Sequence, residues 1–172
     1  AISPPEETLC ETVENAGGKC FGIGKIGDIF NHKGITKYSE GLTDFGLFNS
    51  LLKCLDHAKS GDLIFANFVE FDSLYGHRRD VSGYAAALER FDTYLSNLLP
   101  RLKKDDLLIL TADHGNDPTW HGTDHTRERV PVLFKKHDLD GRNLGLINFS
   151  DVGATMASHL GLKVSKTGFN VL

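Results

Sequence analysis

Nowhere does this chain approach the roughly 18 uninterrupted apolar residues that a membrane-crossing helix needs, so no transmembrane segment is expected. Its opening residues, Ala-Ile-Ser-Pro-Pro-Glu-Glu, are too polar for a secretory leader. No lysine- or arginine-rich tract occurs, and a net charge of -4 leaves no electrostatic footprint for nucleic acid. Cysteine is scarce: Cys10, Cys20 and Cys54 are an odd number, widely spaced, with no CxxC pair. That pattern argues against a disulfide framework and predicts reduced thiols in a cytoplasmic protein. Internal repeats, linkers and low-complexity stretches are missing, and so is an initiating methionine.

What remains is the composition of a globular α/β protein. A chain of 172 residues, 40% apolar and with 18 glycines, suits one domain with a sizeable core and many tight turns. A first helix is expected over 3–16, opened by Pro4 and Pro5 and closed by Gly17-Gly18. A short strand follows over 19–24, then one or two helical turns over 25–30, then a loop over 31–41. Thr43 is placed to cap a helix to about Lys59, with Leu47, Leu51, Leu52 and Leu55 on one face. Strands are expected over 63–71, 107–111 and 130–134, the second buried on both faces. Between the first two, a helix from Asp80 or Ser82 carries Tyr84, Leu88, Phe91, Leu95 and Leu98 at helical spacing. Ser150 caps a last helix over 151–159, and a short strand is expected near 169–172. Strands alternating with helices predict an α/β fold, a mostly parallel sheet with helices on both faces.

Two of the strands run into metal-ligand residues. The first leads to Asp72 and His77, the second to Asp113 and His114, with His125 in the segment beyond. Ligands of such sheets bind beyond the carboxyl ends of the strands. Carboxylates and imidazoles without thiolates suit manganese, zinc or iron better than an all-oxygen calcium or magnesium cage. Neighbouring strand tips, about 4.8 Å apart, would suit a pair of metals held about 3.5–4 Å apart. Asp113 and His114 point the same way only if the strand ends there and the chain turns, a turn expected at Gly115. Plainer roles stay open: Asp72 as a turn cap near Ser73, His77 as a solvated loop residue, His125 as part of a surface ion-pair cluster with Asp124 and Arg127.

The run Thr111-Ala-Asp-His-Gly-Asn-Asp-Pro-Thr119, then Gly122-Thr-Asp-His-Thr-Arg-Glu128, then Val130-Pro-Val-Leu133, resembles the signature of the phosphopentomutases, members of the alkaline phosphatase superfamily. Asn67-Phe-Val-Glu-Phe-Asp72 with Tyr75-Gly-His-Arg-Arg-Asp80, and Gly24-Lys-Ile-Gly-Asp-Ile-Phe30, are similar to further segments of that family. The likeness runs from about residue 4 to the end. It implies an alkaline-phosphatase-like core with Asp72, His77 and His125 on one metal and Asp113 and His114 on the other, the metals being two Mn²⁺ in the parent enzyme. It also implies a pentose phosphate substrate, and Lys25 matches a position that would contact the sugar phosphate, although a surface lysine is the plainer reading.

The family also uses an N-terminal aspartate, a nucleophilic threonine and an inserted cap domain, none of which is found in this chain. The expectation is therefore a core truncated at the N-terminus: residues 1–172 are the C-terminal part of the core domain. It would be inactive alone, hold at most one complete metal site, and be open to self-association along an exposed sheet edge. Thr111, Thr119, Thr123 and Thr126 match structural positions rather than the nucleophile. Arg78, Arg79 and Arg127 suit either phosphate-facing or solvated roles. The alternatives are a cofactor-independent phosphoglycerate mutase or phosphatase of the same superfamily, and a non-catalytic metal-binding module.

Overall fold

The structure is a computed structural model that describes residues 2–39, 41–163 and 167–172. Along the chain it has α1 (Leu9–Asn15), β1 (Cys20–Ile23), α2 (Ile26–Ile29), β2 (Lys37–Ser39), α3 (Asp44–His57) and β3 (Leu63–Ala66). A π-turn (Phe71–Gly76), α4 (Val81–Leu98), a 3₁₀ turn (Leu99–Arg101), β4 (Leu108–Thr111), β5 (Val132–Lys135) and α5 (Phe149–His159) complete it. No helix among the described residues is long and apolar enough to cross a membrane. The chain forms two compact units, one of residues 1–41, 49–67 and 140–172, the other of 42–48 and 68–139.

In the first unit, β1 is the centre of a three-stranded parallel sheet ordered β2-β1-β3. Flanked on both edges, β1 is buried at all four positions, and Val13, Cys10, Cys20 and Ile23 are closed off completely. All three cysteines are free. Helix α1 begins at Leu9, later than the prolines suggest. Thr8 makes a capping box in which its hydroxyl accepts from Glu11 N at 3.3 Å and the Glu11 carboxylate accepts from Thr8 N at 2.9 Å. Strand β2 falls inside the expected 31–41 loop, of which Glu40 lies outside the described residues. A strand of three residues without a hydrophobic run leaves no periodicity to read.

The cap of α5 is Asn148, not Ser150: Asp151 returns the bond by accepting from Asn148 N at 2.7 Å. The tail forms no strand over 169–172 among the described residues. Its N–H groups find helix side chains instead: Phe169 N donates to Asp151 Oδ1 at 3.0 Å and Val171 N to Thr155 Oγ1 at 3.1 Å.

In the second unit, Asp80 caps α4 by accepting from Gly83 N at 2.9 Å. The helix presents Tyr84, Phe91 and Tyr94 to an aromatic cluster with Phe48, Phe68 and Phe71, ring centroids 4.7–5.9 Å apart for the closest pairs. Ala87 and Leu98 are buried on the same stripe, whereas Leu88 is 53% exposed. The packed face therefore runs along Tyr84, Ala87, Phe91, Tyr94 and Leu98, and Leu88 falls outside it.

Strands β4 and β5 pair antiparallel, Leu108 opposite Lys135 through Thr111 opposite Val132. Strand β4 is half-buried rather than enclosed on both faces, since β5 is its only ladder partner among the described residues. The fold described is thus mixed α/β with a small parallel sheet. Among the described residues β3 and β4 form no common ladder, and β3 ends at Ala66, well before Asp72.

Candidate metal centre

All five expected metal ligands lie in the second unit. Strand β3 ends at Ala66, and Asp72 sits instead within the π-turn, with His77 just past it. In an α-helix, residues five apart diverge by about 140°. The i→i+5 turn, in which His77 N donates to Asp72 O at 2.9 Å, returns the two side chains to one side. His77 Nε2 consequently lies 3.3 Å from Asp72 Oδ1. The second segment behaves as the sequence suggested at its start: β4 stops at Thr111, the chain bends, and Asp113 Oδ2 comes within 3.6 Å of His114 Nε2.

Gly115, however, does not supply a left-handed turn. It bridges antiparallel to Thr126, and a Cβ there would stand 2.4 Å from Glu128 Oε2 and 3.0 Å from Thr126 O. Glycine is needed because the returning segment passes so close. That return brings His125 back over the site: its Nε2 lies 3.2 Å from Asp72 Oδ1, and its ring stacks on His114 with centroids 3.7 Å apart. Ligand atoms of Asp72, His114 and His125 all fall within 4.8 Å of one another.

The hydrogen bonds show what these atoms can do. Thr123 O, 2.5 Å from His77 Nδ1, can only accept, so Nδ1 carries an N–H, and in the neutral ring the Nε2 lone pair faces Asp72. Gly115 O plays the same part for His114 Nδ1 at 3.2 Å. In the neutral His77 ring, that lone pair and a carboxylate oxygen at 3.3 Å repel each other unless a proton or a metal ion lies between them. Two donors each about 2.0–2.1 Å from a shared ion would stand about 3–4 Å apart, and the distances observed from Asp72 to His77 and His125 meet that requirement. The residues present fit a divalent transition metal.

Asn116 is a participant that sequence reasoning missed. It is 8% exposed, donates Nδ2 to Asp72 Oδ1 at 2.7 Å, and accepts at Oδ1 from Arg79 at 2.7 Å. It was visible within the Asp-His-Gly-Asn run but had no sequence signal for its role. Buried Gly76 makes room for it, since a Cβ there would stand 2.5 Å from that amide nitrogen. Asp113 is mostly exposed and stands outside the tight group of three. Lys25 is exposed at the start of α2, in the first unit.

The threonine hydroxyls resolved nearby are engaged: Thr111 donates to Pro131 O, Thr119 to Asp117 Oδ1 and Thr126 to Glu128 Oε2. Bonds from the Thr119 hydroxyl and N–H hold the Asp117 carboxyl below its usual range. Burial, with the Asp72 and Asp117 charges adding to it, pushes the Tyr84 phenol up.

Residues 18–164 match the metalloenzyme superfamily. Over its whole length the chain is 54% identical to a phosphopentomutase of Chelativorans sp. (strain BNC1), covering 42% of that protein. It is 51% identical to a phosphopentomutase of Rhizobium meliloti (strain 1021), covering 43%, and 50% identical to one of Chromohalobacter salexigens, covering 42%. The chain thus spans about two-fifths of the length of the curated relatives it matches.

Proposed function

The chain belongs to the metalloenzyme superfamily, and we propose that it is the C-terminal, metal-binding part of a phosphopentomutase core, in a cytoplasmic protein whose full sheet is mostly parallel. The observation that carries this is the convergence of Asp72, His114 and His125, with His77 on the same carboxylate oxygen. The names of the relatives support a pentose phosphate over phosphoglycerate as substrate.

In the proposed reaction, a phospho-threonine outside residues 1–172 gives its phosphoryl group to the 5-hydroxyl of ribose 1-phosphate or deoxyribose 1-phosphate. The bisphosphate turns round, its 1-phosphoryl group returns to the threonine, and the 5-phosphate leaves. Such transfer depends on positioning and charge neutralisation rather than on covalent chemistry by the surrounding side chains. Bound manganese would supply Lewis acidity toward phosphoryl oxygens and the nucleophile. Asp72, His77 and His125 would hold one ion, and Asp113 and His114 would contribute to a second.

This chain's own part is to hold the lone pairs of His77 and His114 outward through carbonyl-bound N–H groups, and to orient Asp72 through Asn116. Lys25 would contact the sugar phosphate. Alone, the chain would bind metal without mutase turnover, and an open strand edge would allow self-association, readable by sedimentation. The test is turnover by a full-length protein containing this sequence. Conversion of ribose 1-phosphate to ribose 5-phosphate supports the reading, and action on 3-phosphoglycerate instead overturns it.

A further inference from the structure

Arg79 lies two residues beyond His77 and, among the described residues, is one of three non-glycine residues with positive φ, at +54°. Such a backbone is disfavoured in a side-chain-bearing residue and persists only where its surroundings over-determine it. Here they do. Nε donates to Gly122 O at 2.6 Å, Nη2 to Asp124 O at 2.6 Å, and Nη1 to Gly76 O at 3.1 Å, Asn116 Oδ1 at 2.7 Å and Asp117 O at 2.8 Å. All five acceptors are uncharged, and together they occupy both edges of the guanidinium fork. The group is turned to the protein's own backbone and not to an incoming phosphate.

The acceptors are not scattered. Gly122 and Asp124 flank Thr123, whose carbonyl fixes the His77 ring, and Asp124 directly precedes His125. Asn116 carries the contact on to Asp72 Oδ1. Each of Asp72, His77 and His125 is therefore one hydrogen bond or one residue away from a group that Arg79 holds.

We propose that Arg79 is a positioning residue: its fork ties the 116–124 segment to the π-turn and so sets Asp72, His77 and His125 on a common point. The part concerning metal rests on the function proposed above. A lysine cannot replace it, because an ammonium is a point charge with three donors and no planar fork.

The experiment compares metal-stripped wild type, Arg79→Ala and Arg79→Lys. It reads imidazole tautomers by long-range ¹H–¹⁵N correlation, Mn²⁺ affinity by calorimetry, and folding by circular dichroism. Both variants should stay folded, lose the single Nδ1–H tautomer of His77, and bind Mn²⁺ about 10- to 100-fold more weakly. Free guanidinium should restore part of the affinity to Arg79→Ala and none to Arg79→Lys. If Arg79→Ala does not fold, Arg79→Lys carries the comparison.

An unaltered His77 tautomer and wild-type affinity in Arg79→Lys would overturn the proposal, as would a loss in Arg79→Ala that guanidinium leaves unchanged. A wild type that takes up no Mn²⁺ would sink the metal reading alone, and the tautomer measurement would still decide the role of Arg79.

Discussion

Asn116 donates its amide N–H to Asp72 Oδ1 at 2.7 Å, joining two segments 44 positions apart in the chain. One carboxylate oxygen is thereby oriented before any ligand arrives, with two imidazole nitrogens facing it. The contact depends on Gly76, over which the amide lies.

Gly76→Ala should consequently displace Asn116 from Asp72. The new Cβ would meet both Cγ and Nδ2 of a buried side chain already bonded on two sides. Overpacking of this kind costs about 1–3 kcal/mol. Thermal unfolding should show that loss, and Mn²⁺ affinity should fall with it. Unchanged stability and affinity would mean that the amide can move aside freely.

Asp151 gives a pH-dependent prediction. N–H groups of Asn148, first, and Phe169 hold its carboxyl below the usual range. A folded value below the unfolded one, about 3.9, contributes stability that is fully present above that pH. The contribution is lost as pH falls through the depressed folded value. Asp151→Asn should therefore lower the unfolding temperature near neutrality and flatten its decline below about pH 4. Parallel acid profiles for variant and wild type would contradict this.

The capping box at Thr8 should be worth about 1 kcal/mol. Thr8→Ala should lower stability by that order in chemical denaturation, with the slope on denaturant unchanged. Thr8→Ser, which keeps the hydroxyl, should recover most of it.

The elements legible in the sequence were those with long periodic signals. The apolar face of α3, the stripe of α4 from Tyr84 to Leu98 and the run leading to Thr111 all fall within a few residues of where they were expected. The combination of aspartates and histidines after two apolar runs suggests a metal site, and only the resemblance to the phosphopentomutases distributes them as ligands. The geometry that unites them was not legible. A π-turn leaves no hydrophobic period, so Asp72 was expected at a strand tip, whereas it lies inside a turn. Gly115 is expected as a turn residue, but its φ is not left-handed, and a Cβ there would instead crowd the backbone at Thr126 O and Glu128 N. Arg79 bonds mostly to main-chain carbonyls, and main-chain acceptors are the same at every position, so no pattern could announce it. The mispredicted cap of α5 has a similar origin: Asn148 and Ser150 are both good cap residues, and only the reciprocal bond from Asp151 separates them.

The central claim is that Asp72, His77 and His125 hold a divalent metal, with His114 close beside them. It is tested most directly by calorimetric titration of the metal-stripped, folded chain with Mn²⁺. The account predicts one tight site per chain, abolished by Asp72→Asn and by His125→Ala while both variants remain folded. No uptake by the folded wild type, or uptake that survives both substitutions, would contradict it.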